Sequence, residues 1–107
     1  MKTVIAYLML TALPVLAWAA DENFAGGYAL AKEKGCLECH ALDYTGMGPP
    51  FRAIAAHYRL DAEARKRLPY LIRGGSVGHW SDRVPMWPQA PLSVDEVRQL
   101  VDWVLSQ

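Results

Sequence analysis

The sequence predicts an all-α domain of four or five short helices joined by long loops. Three observations predict it. The closing segment repeats apolar residues at helical spacing behind a capping box. No segment gives a convincing strand. Two stretches of ten or more residues are too rich in glycine and proline for regular structure.

The 107 residues suffice for one domain, and 52% hydrophobic with 21% charged is a globular balance. A formal net charge of zero gives no reason to expect a nucleic-acid partner. Residues 1–19 read as a cleaved secretory signal: Lys2 supplies a short positive start and Val4 to Leu13 is a nearly unbroken apolar run. That run is too short to span a bilayer comfortably, so no stable membrane insertion is expected after cleavage. Ala17-Trp18-Ala19 offers small residues at the two positions a signal peptidase reads, whereas cleavage after Ala20 would set bulky Trp18 at the outer one. The domain is then residues 20–107, delivered to an oxidising compartment. A domain of 88 residues buries only about two-thirds of its unfolded surface and needs a staple, for which Cys36 and Cys39 are the candidates.

The first helix is expected over about Asn23 to Lys34, where Phe24, Tyr28 and Ala31 form one stripe and Gly35 stops it. Cys36 to His40 follows at once as a short helical turn. Ala41 to Pro50 is a loop. Phe51 to Tyr58 reads as a short helix. Asp61 caps a further pattern through Ala64, Leu68, Leu71 and Ile72, stopped by Gly74-Gly75. Pro69 inside it either kinks that helix or begins a shorter one. Ser76 to Pro91 is irregular. Ser93-Val94-Asp95-Glu96 is the capping box, followed by Val97, Leu100, Val101, Val104 and Leu105. Two long loops in so small a domain signal function, and wrapping a large flat cofactor would account for both.

Cys36-Leu37-Glu38-Cys39-His40 is C-x-x-C-H, the attachment signature of c-type haem. Cysteines three apart on a helical turn point the same way, so both thiols can form thioethers with the vinyl groups on one porphyrin edge. The next residue, His40, is carried beneath the plane as an iron ligand. Competing readings are a dithiol redox pair, a structural disulfide and half of a zinc site. The first usually sits on a βαβ fold, and the last lacks a second Cys/His pair. Candidates for a second axial ligand are Met47, Met86, His57 and His79. Met86 is favoured because Pro85 and Pro88 stiffen its surroundings and because it lies far enough beyond His40 to reach the other haem face. A histidine–methionine pair raises the potential and leaves no open position for oxygen.

With these residues placed, the chain resembles the short bacterial class I cytochromes c, above all the periplasmic single-haem donors. The resemblance covers Lys34-Gly35-Cys36 through His40-Ala41, Gly48-Pro49, Ile72-Arg73-Gly74-Gly75, Gly78-His79-Trp80, Pro85-Met86 and Trp103 through Gln107. It implies the cytochrome c fold around one covalent haem, and a monomeric periplasmic one-electron carrier that is not an enzyme. It implies redox partners such as a nitrite reductase, a terminal oxidase or another cytochrome. It further implies that the Pro49 carbonyl accepts from the free ring N–H of His40, and that the Trp80 indole reaches a haem propionate. Gly27 or Ala31 would permit the first helix to cross the last.

Departures from the family pattern are Trp87 after Met86, Pro69, and Ser81-Asp82-Arg83 in a stretch about one residue longer than usual. Arg73 could pair with a propionate or stay solvated. Arg65, Lys66 and Arg67 form a solvated helix face or dock an acidic partner. Two further functional readings are the haem subunit of a larger oxidoreductase and a thiol–disulfide oxidoreductase. A gas-binding haem protein would need an open axial position.

Overall fold

The structure, a computed structural model, describes residues 22–78, 80, 84–89 and 91–107, with side chains from residue 25 onward. The expected leader, the Phe24 side chain, His79 and Ser81-Asp82-Arg83 lie outside the described residues.

Helix α1 (Glu22–Glu33) ends where Gly35 turns left-handed, at φ 79°. The chain passes directly into a single 3-10 turn, Cys36–Glu38. Helix α2 (Phe51–Tyr58) follows the loop, and its first amide groups are not left bare. Phe51 N–H donates to the Ala41 carbonyl at 2.8 Å and Arg52 N–H to Leu42 at 3.2 Å, so the loop after His40 supplies acceptors that a helix start lacks.

Helix α3 (Ala64–Gly74) runs unbroken through Pro69, which therefore does not begin a shorter helix. Lacking an N–H, Pro69 leaves the Arg65 carbonyl without its helical donor. Asp61 acts two residues before the N-cap position, Glu63. Its carboxylate accepts from Glu63 N–H at 2.9 Å and its carbonyl from Ala64 N–H at 3.2 Å, organising the turn that feeds the helix.

Helix α4 (Val94–Leu105) has the reciprocal capping box: Glu96 N–H donates to Ser93 Oγ at 3.1 Å, and Ser93 N–H to Glu96 Oε1 at 3.0 Å. Lys34, just past α1, adds an ion pair to Glu96 at 3.1 Å. The Ser93 amide and then Lys34 hold the Glu96 carboxyl below its ordinary range. A carboxyl depressed in the folded state contributes stability above its unfolded pKa and loses it as pH falls through the folded one. Glu96→Gln should therefore flatten part of the acid-side decline in melting temperature below about pH 5. Parallel slopes for variant and wild type would show that the pair contributes nothing.

The buried face of α4 organises the core, since α1, α2 and α3 all pack on it. One cluster joins Ala31, Phe51, Leu100 and Trp103; a second joins Tyr58, Ala64, Leu68 and Val101, with Ile54 against both. Among the described residues the backbone pairing outside helices is one isolated antiparallel bridge, Ser76 to Met86, so the all-α expectation holds.

Candidate functional site

The site begins with the turn after Gly35. His40 N–H donates to the Cys36 carbonyl at 3.0 Å and Cys39 N–H to the same oxygen at 3.3 Å. Both thiols are free and half-buried. Burial pushes the Cys36 thiol above its ordinary pKa, the backbone hydrogen bond works against that, and Cys39 adds a smaller upward push. A dithiol oxidoreductase needs the opposite, a thiol made acidic by its surroundings. A zinc site is also unsupported, because no three His, Cys, Asp or Glu side chains converge among the described residues.

The glycine–proline loop folds back on this turn. Gly48 N–H donates to the Cys39 carbonyl at 2.9 Å. A Cβ on Gly48 would lie 2.6 Å from His40 Cε1, so only glycine lets the loop lie against the imidazole. His40 Nδ1 lies 2.7 Å from the Pro49 carbonyl. A carbonyl can only accept, so Nδ1 carries the proton and Nε2 keeps its lone pair for a metal. On its face the imidazole stacks on Phe51, with centroids 5.2 Å apart and planes at 29°. Phe51 is buried and meets Trp103 edge-on at 4.8 Å. The ring is thus held by one hydrogen bond and one packed face, with Cys36, Cys39, His40 and Pro49 joined in a single unit.

Met86 and Trp80 belong to a second unit, on the ends of α3 and α2. Met86 is half-buried, and its peptide pairs with Ser76 in both directions, at 2.8 and 2.9 Å. The Trp80 ring, 41% exposed, packs on His57 at 4.7 Å and near Tyr58 at 6.5 Å. Met47 stands 62% exposed in the loop tied back to Cys39, and His57 is exposed beneath Trp80, so of the three candidates among the described residues Met86 is the most sheltered.

The basic residues of α3 have local partners. The Arg73 guanidinium donates to the Leu92 carbonyl at 3.0 Å, tying the end of α3 to the approach of α4. Arg65 pairs with Asp102, Arg67 with Asp61, and Lys66 with Glu63 at 3.1 Å. A cavity of about 460 Å³ between α3 and α4, bordered by Tyr70 and Arg73, lies within this face. Arg65, Lys66 and Arg67 are each paired with a carboxylate, as on a solvated surface.

Two contributors escaped sequence reasoning. Phe51 was legible only as the first residue of a helix, although a large aromatic directly after Pro49-Pro50 was a usable signal. Gly75 read as a helix stop, and nothing local marked its approach to Met86.

The cytochrome c family model matches residues 24–107. Cytochrome c-551 of Pseudomonas aeruginosa is 42% identical over 91 residues, covering 85% of this chain and 81% of that protein. Cytochrome c-551 of Allochromatium vinosum is 40% identical over 76 residues, covering 71% of this chain and 80% of the relative. Among solved structures, wild-type Nitrosomonas europaea cytochrome c552 superposes with a TM-score of 0.70 at 35% identity, covering 74% of this chain and 96% of the other.

Proposed function

Because this chain belongs to the cytochrome c family, electron carriers with a covalent haem c, we propose that Cys36 and Cys39 attach that haem and that His40 and Met86 ligate its iron. The haem, when bound, supplies an iron that takes up and releases one electron. The chain's own residues do the rest. The thiols of one turn tether the group at a single edge. His40 turns Nε2 outward because Pro49 occupies Nδ1, and Phe51 prevents the ring from tilting. The hydrogen bond to Pro49 also raises the basicity of the coordinating nitrogen. Met86 offers a thioether that favours the reduced state, from a peptide locked to Ser76. Trp80 is proposed to donate its indole N–H to a propionate.

The protein carries electrons and is not an enzyme; it acts with redox partners. We propose that it does so in the periplasm after loss of residues 1–19, as a monomer. A nitrite reductase, a terminal oxidase or another cytochrome would be the partner. Exposed Val77, Val84 and Trp87 flank the Ser76–Met86 pair and support a small apolar docking rim, of the size that transient electron-transfer contacts use. Permanent co-purification with a catalytic subunit would favour the reading as part of a larger oxidoreductase instead.

The observation that carries the proposal is the Nδ1-to-Pro49 hydrogen bond beside two free thiols on one turn. The test is optical. The purified oxidised protein should be low-spin, with a methionine–iron charge-transfer band, and the reduced protein should exclude carbon monoxide. Met86→Ala should abolish the band and raise carbon monoxide affinity at least about tenfold, some 1.4 kcal/mol. A wild type that binds the gas as tightly as the variant rules out Met86 as the ligand.

A further inference from the structure

We propose that Gly75 is a positioning residue for Met86: the absence of a side chain there lets the strap around Met86 dock on the end of α3, and that docking sets where the thioether is offered. The inference rests on the reading of Met86 as an axial ligand.

The strap is fastened at two points. Ser76 and Met86 exchange both backbone hydrogen bonds, and Gln89 N–H donates to the Ile72 carbonyl at 3.0 Å. Residues 86–89 are thereby laid along the last turn of α3. Gly75 lies between the two fastenings and meets the strap backbone to backbone. A Cβ on it would lie 2.7 Å from the Met86 carbonyl oxygen and 3.1 Å from both N and Cδ of Pro88. Those atoms are peptide and proline ring, so none can swing aside as a flexible side chain would. The dihedrals make a second, independent demand: φ 84° and ψ 168° fall in a region that glycine alone occupies readily.

Pro85 and Pro88 fix their own φ angles on either side of Met86, which limits how far the strap can bend to absorb a push. A displacement at Gly75 is therefore passed to Met86. The neighbouring glycine provides the contrast. A Cβ on Gly74 meets nothing within 4 Å, and its φ is not positive. One glycine of the pair only ends a helix, and the other seats the methionine.

The test uses the haem-loaded protein and compares Gly75→Ala, Gly74→Ala, Ser76→Pro and Met86→Ala with wild type. Ser76→Pro removes the amide donated to Met86 without adding a Cβ at Gly75, and keeps the inference testable if Gly75→Ala fails to mature. Three quantities are read: the charge-transfer band of the oxidised form, carbon monoxide affinity of the reduced form, and the melting temperature. Gly75→Ala and Ser76→Pro should weaken the band and raise carbon monoxide affinity about tenfold, the scale of glycine-specific backbone strain. Gly74→Ala should match wild type in both spectroscopic readouts, with an equal or higher melting temperature.

If Gly75→Ala or Ser76→Pro lowers the melting temperature while band and gas affinity stay at wild-type values, Gly75 is structural only and the inference is overturned. A spectroscopic change in Gly74→Ala equal to that in Gly75→Ala overturns it too. Loss of the ligand reading is separately visible, because the wild type would then lack the band or Met86→Ala would keep it.

Discussion

A Cys36→Ser, Cys39→Ser double variant, produced alongside a cytochrome-assembly apparatus, is expected to carry no covalent haem and to lose most of its helical circular dichroism at 25 °C. The protein's own side chains explain the size of the effect. Among the described residues ten hydrophobic side chains are buried, and three of them are alanines. Burying alanine removes little apolar area, so the two clusters supply only part of what a chain of this length needs. Stability of a domain this small is on the order of 5 kcal/mol, and removing the tether should exceed it. Half of the core is built around the attachment unit itself: Phe51 packs on His40, and Cys36 and Leu37 border the cluster of Ala31, Leu100 and Trp103. Mass spectrometry reads the missing cofactor and circular dichroism the missing fold. A double variant with wild-type ellipticity and melting temperature would mean that the polypeptide folds without its tether.

The second large effect is a reversal of sign between adjacent glycines of α1. Gly27→Ala should destabilise by about 2 kcal/mol, whereas Gly26→Ala should stabilise by about 0.5 kcal/mol. Alanine gains about 1 kcal/mol over glycine inside a helix at either position. At Gly27 that gain is outweighed. The new Cβ would lie 2.2 Å from Trp103 Cγ and 2.3 Å from its Cβ. The Trp103 Cβ is fixed to α4, so relief requires the two helices to part. Parting them would loosen Ala31 and Leu100, and Phe51 on His40 after them. At Gly26 a Cβ meets only the amide end of Gln99, at 2.9 Å, and that end can rotate away. Chemical denaturation of both haem-loaded variants measures the pair, and equal shifts would show that the helices tolerate wider separation.

Local features were legible because local physics sets them. The helix stop at Gly35, the reciprocal box of Ser93 and Glu96, and the stripe of α4 depend on residues a few positions apart, and each occurs where the spacing puts it. The bounds of α1 differ from expectation by one residue at each end, as frayed termini do. Pro69 was ambiguous for a physical reason: a proline in a helical pattern costs one hydrogen bond, and only packing on both sides decides whether the helix survives it. It survives here, with Ala64 and Leu68 buried against α4 and Leu71 and Ile72 packed beside them.

The pairings at the site show the other limit. The Pro49–His40 hydrogen bond and the close approach of Gly27 came to the sequence only through family likeness. The stacking of Phe51 and the seat of Met86 on Gly75 did not come at all. Each joins residues nine or more positions apart, and no periodicity reports such a distance.

By itself, then, the order of residues determined the stop at Gly35, the capped and striped helix α4, and a turn bearing two thiols and an imidazole, because an i, i+3 relation on a helical turn is geometry at short range. Tertiary structure alone decided which nitrogen of His40 is free, what braces its ring and what holds Met86 in place. Those outcomes depend on loops closing against helices, and a closing loop is settled by the shape it meets.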